Sequence, residues 1–138
     1  MEDLVNFELA KKLKENGFRE LCLAYYTNDD TLYYNYSHKY GACYRDCYLS
    51  HNLMPKDSVS GKFIDAPTIS QVLKWLREGK ELHTEIYMYN NCYLWEIYNT
   101  EIYDADFTQK SEKYSEIEYG TYEQAALAGI EYVLDNLI

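Results

Sequence analysis

Four side chains that can bind zinc lie close together in the first half of the chain. They are His38, Cys43, Cys47 and His51. On one continuous helix the last three would be spaced at i, i+4 and i+8, so that neighbouring pairs could chelate one ion. The outer two would then be about 12 Å apart along the axis, too far for one ion without a bend. A structural zinc site, or thiols and histidines that hold no metal, both fit this spacing.

A second group of polar side chains shares one face of a predicted β-hairpin at residues 82–99. If Asn90 and Asn91 form a two-residue turn, Glu85 lies directly opposite Glu96. Like charges at opposed positions cost stability, so we expect a cation, a basic neighbour or protonation to compensate. The predicted binding face consists of His83, Glu85, Tyr87, Tyr89, Glu96 and Tyr98.

Two kinds of function fit this hairpin face. Glycoside hydrolysis uses two carboxylates about 5 to 9 Å apart, so a small hydrolase or metal-dependent enzyme using Glu85, Glu96 and His83 is one hypothesis. Tyrosines also supply contact area on binding surfaces at low entropic cost. Catalysis needs a pocket that a flat hairpin does not provide. We therefore prefer contact with a ligand or protein, and we predict no catalytic residue.

Motifs for other chemistry are missing from the sequence. It contains no GxSxG, GxGxxG or GxxxxGK string, and its six glycines offer little for cradling phosphates. We predict no cofactor.

Length and charge limit the remaining function classes. The 138 residues fit a single α+β domain, 1–138. With 23 acidic and 13 basic residues the net charge is −10, which repels phosphates, so direct binding to nucleic acid is not expected. The start, Met1-Glu2-Asp3-Leu4, lacks the pattern of a signal peptide, and no apolar run is long enough to span a bilayer. A cytoplasmic protein without membrane contact is the expectation.

The elements that position the hairpin face begin with a helix near residue 68. Thr68 and Gln71 fit a capping box, and Gly79 is expected to end the helix. Strands 82–89 and 92–99 follow. The alternation places Thr84, Ile86 and Met88, opposite Tyr93, Trp95 and Ile97, on the core side.

Two further helices complete the predicted α+β fold. The first, residues 3–16, begins at Asp3 or Asn6 and ends at Gly17, where Phe18 suits a Schellman motif. The last begins with a second capping box at Thr121 and Gln124. Further strands are predicted at 21–26, 32–36 and 113–119, with a strand or irregular edge at 101–107. The result is an antiparallel sheet of β-hairpins packed by three helices.

The segment 37–65 lacks periodicity and reads as an irregular connection. Because structureless loops of this length are unusual, we expect a helical turn near 42–49 and an extended piece near 62–65. The helix–strand–turn–strand order on both sides of this segment, at 13–36 and 76–98, fits an internal duplication or convergent turn chemistry equally well.

Three strings carry a resemblance to known proteins: IDAPT at 64–68, KWLRE at 74–78 and YEQAA at 122–126. They resemble small proteins of prophages and conjugative elements of gut anaerobic bacteria. The resemblance covers the first helix and roughly 64–138, whereas 37–59 departs from it. It implies no activity, cofactor or catalytic residue. Together with the acidic composition and the tyrosine-rich strands, it leads us to expect a non-enzymatic accessory protein of a phage or mobile element that binds another macromolecule: a protein partner or a second copy of the chain.

Overall fold

The computed structural model describes residues 3–39, 42–44, 47–103 and 109–138, and their side chains except at 37–39, 42–44, 100–103 and 109–112. The fold class is α+β, as predicted, with three helices and two three-stranded antiparallel sheets. The chain divides into two compact units, Leu4–Thr68 and Ile69–Ile138 with Met1–Asp3. We call them the N-terminal and C-terminal units. That 1–138 forms a single domain stays a prediction.

The N-terminal unit combines one helix with short strands. Helix α1 spans Phe7–Glu15 and is followed by β1 (Ala24–Tyr26), β2 (Leu32–Tyr34), β3 (Ser37–Lys39), β4 (Ala42–Tyr44) and β5 (Ile64–Asp65). Strand β1 lies between β2 and β5, and β3 pairs with β4. The core of this unit is apolar and includes Val5, Leu9, Leu13, Phe18, Ala24 and Ile64.

Both ends of α1 follow the predicted capping chemistry. Asn6 Oδ1 accepts a hydrogen bond from Leu9 N at 2.9 Å. At the other end Gly17 has φ +88°, and Phe18 N donates to Leu13 O at 2.9 Å. This is the Schellman pattern, which brings two fully buried side chains, Phe18 and Leu13, together at the helix end.

The described residues of the segment 37–65 form more secondary structure than the sequence indicates. The helical turn expected near 42–49 is wrong, because Ala42–Tyr44 forms β4 and pairs with Ser37–Lys39. A segment without helical periodicity can still satisfy its backbone N–H and C=O groups by pairing as strands. Two 3₁₀ turns follow, His51–Leu53 and Ser60–Lys62, before the extended piece at Ile64–Asp65.

The C-terminal unit contains the hairpin and two helices. Helix α2 spans Ile69–Gly79 and leads into β6 (Leu82–Tyr89), β7 (Cys92–Tyr103), β8 (Gln109–Tyr114) and α3 (Tyr122–Asn136). The sheet order is β6-β7-β8. Thr121 Oγ1 caps α3 by accepting from Gln124 N at 3.1 Å, as predicted.

The hairpin has the predicted turn and register. Asn90 and Asn91 have φ angles of 51° and 64°, which a type I′ turn requires and asparagine tolerates. Glu85 therefore pairs with Glu96, and His83 pairs with Tyr98.

Helix α3 packs on the face of the hairpin predicted to be the core. Thr84, Trp95 and Ile97 are at most 5% exposed. A Cβ placed on Gly129 would lie 3.1 Å from both Thr84 Cγ2 and Trp95 Cγ, so this glycine permits the close approach. Towards the turn the covering ends, since Met88 is 60% exposed.

The strands after the hairpin differ from the predicted ones. Strand β7 continues to Tyr103, so the beginning of the predicted 101–107 strand belongs to β7, and Tyr103 pairs with Gln109 of β8. Residues 104–107 lie outside the described residues. Strand β8 ends at Tyr114, whereas 113–119 is the predicted strand. The pairing of β7 with β8 shifts register twice, beside Tyr98, and such irregularities leave no clear alternation in a sequence.

Helix α1 with β1 and β2 repeats the element order of α2 with β6 and β7. The strands differ in length, three residues in the first pair and eight and twelve in the second. A common origin for the two stays a prediction.

Within the described residues, no helix is both long enough and apolar enough to cross a membrane.

Replacing Gly17 by alanine tests the helix end. A Cβ there meets nothing within 4 Å, so the cost is that of the left-handed backbone alone, about 1 kcal/mol in the free energy of unfolding. The measurement is urea unfolding followed by circular dichroism. The control is Gly120→Ala, whose Cβ would make an ordinary 3.6 Å contact with Gln124 Oε1. Equal losses of unfolding free energy in the two variants would contradict the assignment of Gly17 as the left-handed residue that ends α1.

Candidate functional site

The predicted binding face is formed as a single surface. We call it the tyrosine face: His83, Glu85, Tyr87, Tyr89, Glu96 and Tyr98. The rings of His83 and Tyr98 are nearly parallel, with centroids 6.5 Å apart. Glu85 and Tyr89 are exposed, and the other four side chains are half-buried. Tyr114, opposite Glu96 on β8 and 61% exposed, extends the surface.

The two opposed carboxylates act on the tyrosine hydroxyls of the same face. Burial, a side-chain hydrogen bond to Glu96 and the charges of Glu96 and Glu85 raise the pKa of Tyr98 to about 12. Burial and the same two carboxylates also raise the pKa of Tyr87. Both hydroxyls thus stay protonated donors at neutral pH, in a strongly negative potential.

The described cations leave these carboxylates unpaired. Lys113, at the end of β8, forms its ion pair with Glu116 at 3.2 Å. Among the described side chains, no lysine or arginine forms an ion pair with Glu85 or Glu96. The face therefore offers negative charge and aromatic rings together, both accessible to a partner.

A second polar cluster lies buried in the N-terminal unit, around Asp65. Its carboxylate is fully buried and accepts hydrogen bonds from the backbone N–H of His51 and of Asn52, each at 3.0 Å. Ser50 Oγ lies 3.4 Å from Asp65 Oδ2 and 3.0 Å from Arg19 O. Burial raises the pKa of Asp65, and the N–H donors oppose this.

The ring of His51 continues this cluster. Its Nε2 lies 2.9 Å from Asn35 Oδ1, while Asn35 Nδ2 donates to Cys22 O at 2.8 Å. The amide orientation makes Oδ1 an acceptor, so Nε2 carries the proton. Nδ1 is buried without a hydrogen-bond partner. Burial between Tyr25 and Phe63, with centroids 4.6 and 5.3 Å from the imidazole, lowers the pKa of His51.

Although Ser50, His51 and Asp65 are the residue types of a hydrolytic triad, their geometry differs from one. Ser50 Oγ bonds to a backbone carbonyl rather than to the imidazole, and all three side chains are buried. A triad needs the serine bonded to the histidine and open to substrate. The cluster instead fixes the 3₁₀ turn at His51–Leu53 against β5.

The zinc hypothesis stays a prediction. His38 and Cys43 are paired across β3 and β4, but their side chains lie outside the described set. Cys47 is half-buried and free, and His51 is committed to Asn35. Among the described side chains, no three metal-binding groups lie close enough to hold an ion.

The sequence does not reveal the cluster around Asp65. Asn35, Ser50 and Asn52 are ordinary loop residues by type, and they come together only through chain reversals. The available signal is Asp65 itself, an acid directly after the apolar residues Phe63 and Ile64.

Comparison with known proteins gives no match. The chain fits no protein-family description, and neither a curated protein nor a solved structure is significantly similar to it.

Replacing Glu96 by glutamine tests the electrostatics of the tyrosine face. The change removes a carboxylate acceptor and its charge, so the pKa of Tyr98 falls from about 12 towards the ordinary tyrosine value near 10. Glu85→Gln produces a smaller fall, because Glu85 acts on Tyr98 through charge alone. NMR titration of labelled tyrosine rings measures both. An equal shift in the two variants would show that the hydrogen bond is absent.

Protonation of His51 should destabilise the fold as pH falls. Its pKa in the folded protein is below the unfolded value near 6.5, so the unfolded chain binds the proton first. Stability is therefore full above about pH 6.5 and decreases as pH falls through the folded pKa. Urea unfolding across this range should show a flatter pH dependence in His51→Gln than in the wild type. His83→Gln is the control, and equal flattening there would remove His51 as the cause.

Proposed function

We propose that this protein is a non-enzymatic binding module whose tyrosine face takes a basic segment of another protein. The observation that carries the proposal is the pairing of Glu85 with Glu96 across the hairpin, without a described cation on either. Opposed carboxylates cost stability in the free protein. A lysine or arginine from a partner removes that cost, because it places beside the two carboxylates the positive charge that the isolated hairpin lacks.

The tyrosines supply the second element of recognition. Tyr89 is 59% exposed and Tyr114 61% exposed, so both rings are available to a partner. An aromatic face attracts a cation placed over it, and tyrosine loses little conformational entropy on binding. Carboxylates beside such rings thus favour long cationic side chains whose methylene stems pack on the rings.

Charge disfavours two other partners. A second copy docked face to face would bring four carboxylates together, since each copy contributes Glu85 and Glu96. Nucleic acid would add phosphates to a chain whose net charge is −10. The carboxylate pair and the negative net charge both favour a basic protein as the partner.

The setting as an accessory protein of a phage or mobile element rests on the sequence resemblance and is part of this proposal, as is a cytoplasmic location. The hydrolase alternative also stays a prediction. No described feature favours it, because Glu85 is exposed on an open sheet face and carboxylate catalysis requires a pocket.

Peptide display tests the proposal even while the partner is unidentified. Random peptides are selected on the purified wild-type protein, and the recovered sequences should be enriched in lysine and arginine. Calorimetry then compares the best peptide on Glu85→Gln/Glu96→Gln and on Glu20→Gln/Glu78→Gln, which removes the same charge from exposed positions outside the hairpin. We expect the first variant to weaken binding by about tenfold or more, and the second to change it little.

Three results would overturn the proposal. If the selected peptides were not enriched in lysine and arginine, a basic segment would be excluded as the partner. Equal affinity for the two charge variants would place binding elsewhere. Insensitivity to salt would exclude an electrostatic interface, because exposed ion pairs weaken as salt rises.

A further inference from the structure

A cleft in the C-terminal unit has Tyr114 in its lining, but neither Glu85 nor Glu96. Its volume is about 320 Å³. Its lining comes from three elements: β7, the end of β8 with the residues after it, and α3. The lining residues are Trp95, Lys113, Tyr114, Glu116, Ile117 and Tyr132.

The inner part of the cleft is aromatic. The Trp95 and Tyr132 rings have centroids 5.2 Å apart and planes tilted by 33°. Ile117 is 61% exposed, although an apolar side chain gains by being covered. Flat rings stack well on indole and phenol groups. The shape and chemistry of these walls therefore suit a planar aromatic body.

Two of the residues that line the cleft carry hydrogen-bond donors, Trp95 and Lys113. The indole Nε1 of Trp95 is buried and has no hydrogen-bond partner, and an unsatisfied buried donor is destabilising. At the rim, Lys113 forms an exposed ion pair with Glu116. The hydrogen bond to Glu116 raises the pKa of Lys113, so the ammonium stays charged and keeps further N–H donors free.

We propose that this cleft binds a small, neutral, planar aromatic molecule that carries a carbonyl group. The ring would pack on Trp95, Tyr132 and Ile117, and the carbonyl would accept from the unpaired donors. Anions are disfavoured by the net charge of −10 and by Glu116, and cations by Lys113. The volume is at the lower end for ligand pockets, so it fits one or two rings.

Exposed side chains form part of the rim of the cleft. Tyr114 and Ile117 are each 61% exposed, so both can rotate without uncovering the core. Trp95 itself is held by α3 packing and by the hydrogen bond from its backbone N to Ser115 Oγ at 3.2 Å. Trp95 is thus fixed in the cleft, whereas the exposed side chains at the rim can change conformation.

Quinolin-2-one is the probe for this site, because it is neutral, has two fused rings and carries one carbonyl. NMR titration of isotope-labelled protein follows the indole N–H signals of Trp95 and Trp75, assigned with Trp75→Phe. We expect a saturable shift of the Trp95 signal at millimolar probe, while Trp75, which does not line the cleft, stays unchanged. Quinoline-2-carboxylate should bind more weakly, because it is an anion.

Two surface variants locate the binding. Ile117→Ser removes apolar contact and should weaken the probe about tenfold. Met88→Ser is the matched control, since Met88 is 60% exposed on the same sheet and does not line the cleft. Both changes are at exposed positions and leave the core intact. The absence of a saturable Trp95 shift, equal effects of the two variants, or tighter binding of the carboxylate would each overturn the proposal.

Discussion

The left-handed backbone at Asn90 and Asn91 is the constraint on which the C-terminal unit depends. A two-residue turn of this kind fixes which residues of β6 and β7 face each other. Side chains alternate along a strand, so a shift of one residue would exchange the two faces completely. Trp95 would then point away from α3, and Glu96 would point towards it. The turn thus decides both what is buried and what is displayed.

The two faces of this sheet follow opposite physical rules. On the α3 side, Thr84, Trp95 and Ile97 are buried so tightly that residue 129 has to be glycine or the contact has to open. On the other side, carboxylates and tyrosines share a half-exposed surface whose negative charge no described basic residue offsets. Stability accounts for the first face. The proposed binding of a partner with the opposite charge would account for the second.

The N-terminal unit depends on a different interaction, the fully buried carboxylate of Asp65. Short strands bury little apolar area, and β1, β2 and β5 contain only two or three residues each. Hydrogen bonds from His51 N and Asn52 N hold a long connection against β5. A buried charge is costly unless its bonds are satisfied, so this cluster specifies one arrangement of a segment that lacks periodicity.

Local signals in the sequence determined the helices, the caps of α1 and α3 and the hairpin, because each depends on residues at most a few positions apart. Asn6, Gly17 and Thr121 act through neighbouring backbone, and Asn90 and Asn91 set the pairing of Glu85 with Glu96. Contacts between distant residues were decided only by the tertiary structure. These include the register shifts of β8, the cluster around Asp65 and the cleft beside Trp95. No local pattern encodes them, since packing and burial across the fold select them.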